Sequence, residues 1–314
     1  MPFIVNLPRS LPEEFIQAII DLEVLTESKA FLLILDKSID RNLATKIQSL
    51  RKDLFSIKKL IVIIDSGGGD INAAHKILQF LREENRKMEV YVNEYAKSAA
   101  TFLCLGADMI IMHKNAEMGP LDPQIKEPGG RRFISALDRS KSTDYLRNHA
   151  IETFDIMVGV ILGRTDFSIK EAIDEAHKFT RNICEPLYAK EDPDKLGEYS
   201  RLIAIGEEYT RRAMLRYGYA GRKPEEINKI IKQIVYGYPS HSFIIDYKEA
   251  QDLGLNVRLP SKEEEPLMDK IASFLGKIQC VGTISPVEKA EPNKEGRING
   301  KAALENKTTA SIRA

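Results

Sequence analysis

Apolar positions along this chain follow two rhythms. Leu60–Ile64 is an unbroken, mostly β-branched run, the pattern of a strand buried on both faces of a parallel sheet. Phe31–Leu35, Glu89–Asn93 and Met109–Met112 read as companion strands. Between them the spacing turns helical: Leu43, Ile47, Leu50 and Leu54 share one face over 39–54, and Ile71, Ala74, Ile77, Leu78 and Leu81 share another. Phe102, Leu103 and Leu105 fill a third, shorter helix, and Pro12–Leu25 predicts one before the first strand. Strand and helix alternate, so the pattern predicts an α/β fold. Right-handed crossovers would then place successive turns at one edge of a single sheet.

Two of those turns carry unusual residues. Gly67, Gly68 and Gly69 follow the Leu60–Ile64 strand, and Ser98 sits among small residues where the next helix begins. Ligands of an open α/β sheet lie outside the carboxyl ends of its strands. Glycine has no Cβ to hold a substrate oxygen away from the backbone N–H. A hydroxyl at a helix N-terminus sits where developing negative charge is favoured. Amide donors beside a nucleophile are the minimum for acyl transfer. No Lys-Ser/Thr pair follows the glycines and no dinucleotide fingerprint is completed, so phosphate binding is the weaker use of this loop.

From Ile134 to Lys232 the pattern is mostly helical, with breaks expected near Gly163, Pro186, Pro193 and Gly218–Gly221. Such an insert could cap a cleft or form an oligomer interface. Ser242–Ile245 then reads as a short strand and Lys248–Leu253 as a short helix. One domain over residues 1–260 is expected. Beyond it, 261–314 reads as a mostly disordered tail, too polar to offset its ordering entropy, interrupted by a possible amphipathic helix over 267–279.

Composition narrows the field. Forty-six basic and 46 acidic side chains cancel, so nothing points to nucleic acid. Cys104, Cys184 and Cys280 are scattered without metal spacing, which suggests reduced thiols, a cytoplasmic setting and no metal. No run approaches the roughly 18 apolar residues that span a bilayer, so membrane association is not indicated. No cofactor is expected.

The motifs together resemble the ClpP/crotonase superfamily, and within it the serine dehydrogenase proteinase family, relatives of the signal peptide peptidase A class. Ser66-Gly67-Gly68-Gly69, Ala96-Lys97-Ser98-Ala99-Ala100-Thr101 and Gly119-Pro120-Leu121-Asp122-Pro123-Gln124 stand where that family has its glycine turn, nucleophile turn and Gly-Pro-Ile-Asp-Pro-Gln segment. Tyr238–Phe243 is also similar. The resemblance implies a spiral of ββα units, a serine peptidase acting on peptide or protein substrates, and a homo-oligomer. It implies Ser98 as nucleophile and the Gly68 and Ala99 amides as oxyanion donors, with Gly67 and Gly69 completing the turn. Asp122 would orient a partner or fix its loop.

The base stays open. Lys141 suits a Ser-Lys dyad, as in signal peptide peptidase relatives, whereas His241 lies where ClpP relatives place their triad acid. Two positions differ from the family pattern: Ala100 replaces a glycine and Gly67 a proline, so an extra methyl at 100 could crowd the oxyanion pocket and the missing proline loosens the turn. The rival readings are a catalytically impaired scaffold of the same fold and a crotonase-type acyl-thioester enzyme.

Overall fold

The computed structural model describes residues 11–50, 54, 56–126 and 133–284. Its centre is a sheet of seven strands: β1 (Lys29–Ile34), β2 (Lys59–Ser66), β3 (Lys87–Ala96), β4 (Met109–Met112), β5 (Glu117–Met118), β8 (Val257–Arg258) and β9 (Cys280–Gly282). The order is β8-β4-β3-β2-β1-β9, with β5 continuing alongside β3. Every pairing is parallel except β1 with β9. The fold is therefore α/β around a mostly parallel sheet.

The sheet is covered on both faces, which is why its strands are almost wholly apolar. Leu60, Val62, Ile64, Val90 and Val92 point into the larger core. Helices α2 (Arg41–Ser49), α3 (Ile71–Leu81) and α4 (Ala99–Leu105) supply its other side. Ile61, Ile63 and Tyr91, one residue out of phase, face α1 (Glu13–Thr26) and α10 (Glu264–Ala272).

A helical insert follows a small hairpin of β6 (Gln124–Lys126) and β7 (Phe133–Ser135). It comprises α5 (Ala136–Arg164), α6 (Ile169–Tyr188), α7 (Pro193–Arg216) and α8 (Pro224–Lys232). Breaks fall near Gly163, at Pro193 and at 218–221. Pro186 sits in the last turn of α6, which ends two residues later at Tyr188. Ser242–Ile245 is not a strand. Ser240–Phe243 closes a turn, and only Ile245 bridges to Met118. Helix α9 (Tyr247–Asp252) follows it.

The chain beyond 260 departs from the expected tail as far as residue 284. Helix α10 begins at Glu264, where the reading placed it over 267–279, and packs on α1 with Phe274 edge-on to Phe15 at 5.8 Å. The buried Glu264 carboxylate takes the Tyr91 hydroxyl at 2.6 Å and both outer Arg258 nitrogens, and Asn93 donates to the Met268 carbonyl. β9 then seals the free edge of β1. These three residues are too few to show a pattern in sequence. The rest of the expected tail, 285–314, lies outside the described residues.

Candidate active site

The glycine turn and the serine turn meet at the carboxyl ends of β2 and β3. Gly68 has φ of +90°, and a Cβ there would fall 2.3 Å from the Lys97 carbonyl oxygen and 2.9 Å from the Ala99 nitrogen. No other residue lets the two turns approach this closely. Gly69 (φ +148°) makes the same allowance toward Ile39, whose N–H donates to the Gly68 carbonyl at 2.7 Å. Gly67 has open space around it.

Ser98 occupies the N-cap position of α4, yet its hydroxyl caps nothing. Its backbone lies at φ 52° and ψ −118°, a region that non-glycine residues avoid at a cost of roughly 1–3 kcal/mol. An ordinary N-cap has extended backbone and spends its oxygen on the helix. The Ala99 N–H has no acceptor among the described residues, whereas the Gly68 N–H donates to the Ser66 hydroxyl at 3.2 Å. Ala100 does not crowd this corner. Its methyl is fully buried in the larger core, because the helix turns it away from the cleft.

Thr101 ties the serine turn to the next segment. Its hydroxyl lies 2.8 Å from both the Ala96 and Gly119 carbonyls and accepts from the Gly119 N–H at 3.3 Å. That anchor fixes the start of Gly119–Pro123. Asp122 is almost completely buried and accepts from the Leu137 N–H at 3.2 Å. Its other oxygen lies 3.7 Å from Nδ1 of His241. The His241 loop is held in turn by Tyr238, which stacks on Phe243 at 4.4 Å and donates to Glu249 at 2.6 Å. Burial and the Glu249 carboxylate both push the Tyr238 hydroxyl pKa up, so it remains a donor.

Ser98, Ala99, Gly67, Gly68, Gly69 and His241 line one cleft of about 540 Å³. Lys141 does not reach it. That side chain lies exposed on α5, its Nζ donating to the Tyr236 carbonyl at 3.4 Å. Lys97, adjacent to the serine, is also turned away, paired with Glu117 at 2.9 Å and donating to the Met118 carbonyl. Cys104 is buried in the core, which pushes its thiol pKa up and leaves it inert.

The cleft also draws on residues that pattern reading did not single out. Ile39 and Asp40 come from the turn after β1, and Leu121 from the segment before Asp122. Leu202 and Gly206 come from α7, which is fastened to α3 by His75 stacked on Tyr209 at 4.0 Å and by Tyr209 donating to Asn72. A lone glycine inside a helical pattern was the available signal for Gly206.

Residues 40–194 match the sequence family described as ClpP-like SDH-type serine proteinase. Over 207 residues the chain is 28% identical to an uncharacterized protein of Methanocaldococcus jannaschii, which covers 66% of this chain and 56% of that protein. A second uncharacterized protein of that organism is 45% identical over 78 residues, 25% of this chain and 27% of its own length. The match thus spans little more than half of the first relative and about a quarter of the second. Among solved structures, a 1510-N membrane-bound stomatin-specific protease aligns at 12% identity and a TM-score of 0.43, over 77% of this chain and 84% of its own. ClpP1 of Listeria monocytogenes aligns at 14% identity and a TM-score of 0.37, over 78% and 98%. Among the described residues no helix is long and apolar enough to cross a membrane.

Proposed function

We propose that this chain, whose residues 40–194 match the ClpP-like SDH-type serine proteinases, is a peptidase in which Ser98 is the nucleophile, His241 the base and Asp122 the group that orients it. The Ser98 Oγ attacks the peptide carbonyl carbon, and its proton passes to His241. The tetrahedral oxyanion takes the Ala99 N–H and the Gly68 N–H, the latter released from the Ser66 hydroxyl. His241 then returns the proton to the departing amine, leaving an acyl-serine that water hydrolyses by the reverse route.

The observation that carries this reading is the strained backbone of Ser98. Its hydroxyl, unused by the helix it precedes, opens into the cleft that also holds His241. Strain kept at a polar residue in a cleft marks a site where geometry serves chemistry. His241 is preferred to Lys141 because it shares that cleft and has a buried carboxylate behind it, whereas Lys141 has neither.

Reaction with an alkyl fluorophosphonate tests it. Attack by the Ser98 oxygen on phosphorus expels fluoride, and the base takes the serine proton. Labelling of the folded protein that disappears in Ser98→Ala is the expected result. Absence of labelling in the folded protein would favour the scaffold reading of the same fold.

A further inference from the structure

The reaction as proposed leaves the α7 side of the cleft without a role. Gly206 lies inside that 24-residue helix, where glycine costs about 1 kcal/mol relative to alanine. Most buried glycines of this protein are explained by packing. A Cβ at Gly68, Gly106 or Gly119 would fall 2.6 Å or less from its nearest neighbour. Gly206 is different. A Cβ there would meet only the Leu121 Cδ2, at 3.5 Å, an ordinary van der Waals contact. Gly159 and Gly163 of α5 also have open space, but they are exposed to solvent, whereas Gly206 is buried and lines the cleft. The fold does not need this glycine. Its missing methyl enlarges the cleft instead.

The chemistry of the lining says what fills that space. Ile39, Ile71, Leu121, Pro123 and Leu202 make the cleft mostly apolar. The acidic groups on it are Asp40 and Asp70, each spending an oxygen on a helix N-cap, and no lysine or arginine lines it. An anionic side chain would meet like charge there with no cation to offset it. We propose that Gly206, with Leu121 and Leu202, sets the size of a pocket for an uncharged aliphatic side chain beside the scissile bond. The assignment rests on Ser98 being the nucleophile.

The test uses peptidyl phosphonate esters that differ only in the residue next to phosphorus: alanine, leucine, phenylalanine or aspartate. One added methylene in an apolar pocket is worth about 10- to 200-fold in rate. The wild-type protein is expected to react about tenfold or more faster with the leucine probe than with the alanine probe, and slowest with the aspartate probe. Gly206→Leu should reverse the leucine-to-alanine ratio, with Gly206→Ala intermediate. Leu202→Ala should shift preference toward phenylalanine. Each ratio is measured within one sample, so loss of folded fraction cancels, and Gly206→Ala and Leu202→Ala carry the test where Gly206→Leu does not fold. An unchanged ratio in Gly206→Ala and Leu202→Ala would overturn the pocket. If the wild type reacts with the alkyl fluorophosphonate but all probe ratios stay near one, the pocket alone fails. If it does not react with that reagent, the nucleophile assignment fails first.

Discussion

Nδ1 of His241 points at the buried carboxylate of Asp122 across 3.7 Å, and that nitrogen has no hydrogen-bond partner among the described residues. The gap is longer than a hydrogen bond, yet the Asp122 carboxylate and this nitrogen are both buried, so an imidazolium formed at His241 would find its counter-charge already in place. In a resting site such contacts are often long and tighten when substrate binds.

That relationship gives the first prediction. His241→Ala and Asp122→Asn should each slow fluorophosphonate labelling on the order of a hundredfold or more. Lys141→Ala should change it by less than about twofold, since its ammonium is occupied by the Tyr236 carbonyl on an exposed face. Labelling rates, read beside unfolding midpoints, separate this from simple destabilisation. Wild-type rates in His241→Ala together with a large loss in Lys141→Ala would transfer the base role to the lysine.

Ser98 should be a liability to the fold. Ser98→Gly relieves a backbone at φ 52° and is expected to stabilise the protein by about 1 kcal/mol, a rise of roughly 2–4 °C in Tm for a chain of this size. Ser98→Ala keeps a Cβ and gains no such relief. Both lose labelling. Calorimetry of the two variants side by side checks the difference.

Asp65, buried beneath the glycine turn, supplies a pH dependence. Burial raises its carboxyl to about 6, against the weak opposing bond from the Tyr95 N–H, and Glu94 adds to the rise. The folded state therefore holds this proton more tightly than the unfolded chain. The stabilising contribution is complete below the unfolded value near 3.8 and is lost as pH climbs through about 6. Asp65→Asn should be more stable than wild type at pH 8, by on the order of 3 kcal/mol, and near parity at pH 4. Equal denaturation midpoints at pH 8 would refute this.

Glu264 behaves in the opposite sense. Burial alone would raise its carboxyl, but Arg258, the Ser261 N–H and the Tyr91 hydroxyl outweigh it and hold the value at about 2. Its contribution is present above the ordinary carboxylate range and fades as pH falls toward 2. Glu264→Ala strands the Tyr91 hydroxyl in the core and frees Arg258, and should destabilise by about 3 kcal/mol at pH 7. Urea denaturation measures it.

The parallel core was legible because strands buried on both faces leave unmistakable apolar runs. Leu60–Ile64 and Met109–Met112 both stand inside observed strands. The convergence of the glycine and serine turns was equally legible, since crossover handedness dictates it. What pattern could not show was contact between distant segments. Asp122 and His241 lie far apart in sequence, and nothing local to either residue announces the other. Lys141 had the right separation from the serine, but where its side chain goes depends on α5 packing. The Ser242–Ile245 run misled because only Ile245 is buried in the core, with Phe243 packed against it and Ile244 exposed, and one bridging residue stands in place of a ladder. Residues 280–282 gave no signal, being a strand only by virtue of the neighbour they join.

Those three residues have a practical consequence. β1 would otherwise present a row of unsatisfied amides and carbonyls along Leu32–Ile34, and an apolar strand left open in this way recruits whatever extended chain it meets. A fragment ending at residue 260, where composition suggests a domain boundary, would be stripped of both its lid over α1 and its selvedge. Such a fragment should come out of expression as aggregates, while one ending at 284 should stay dispersed.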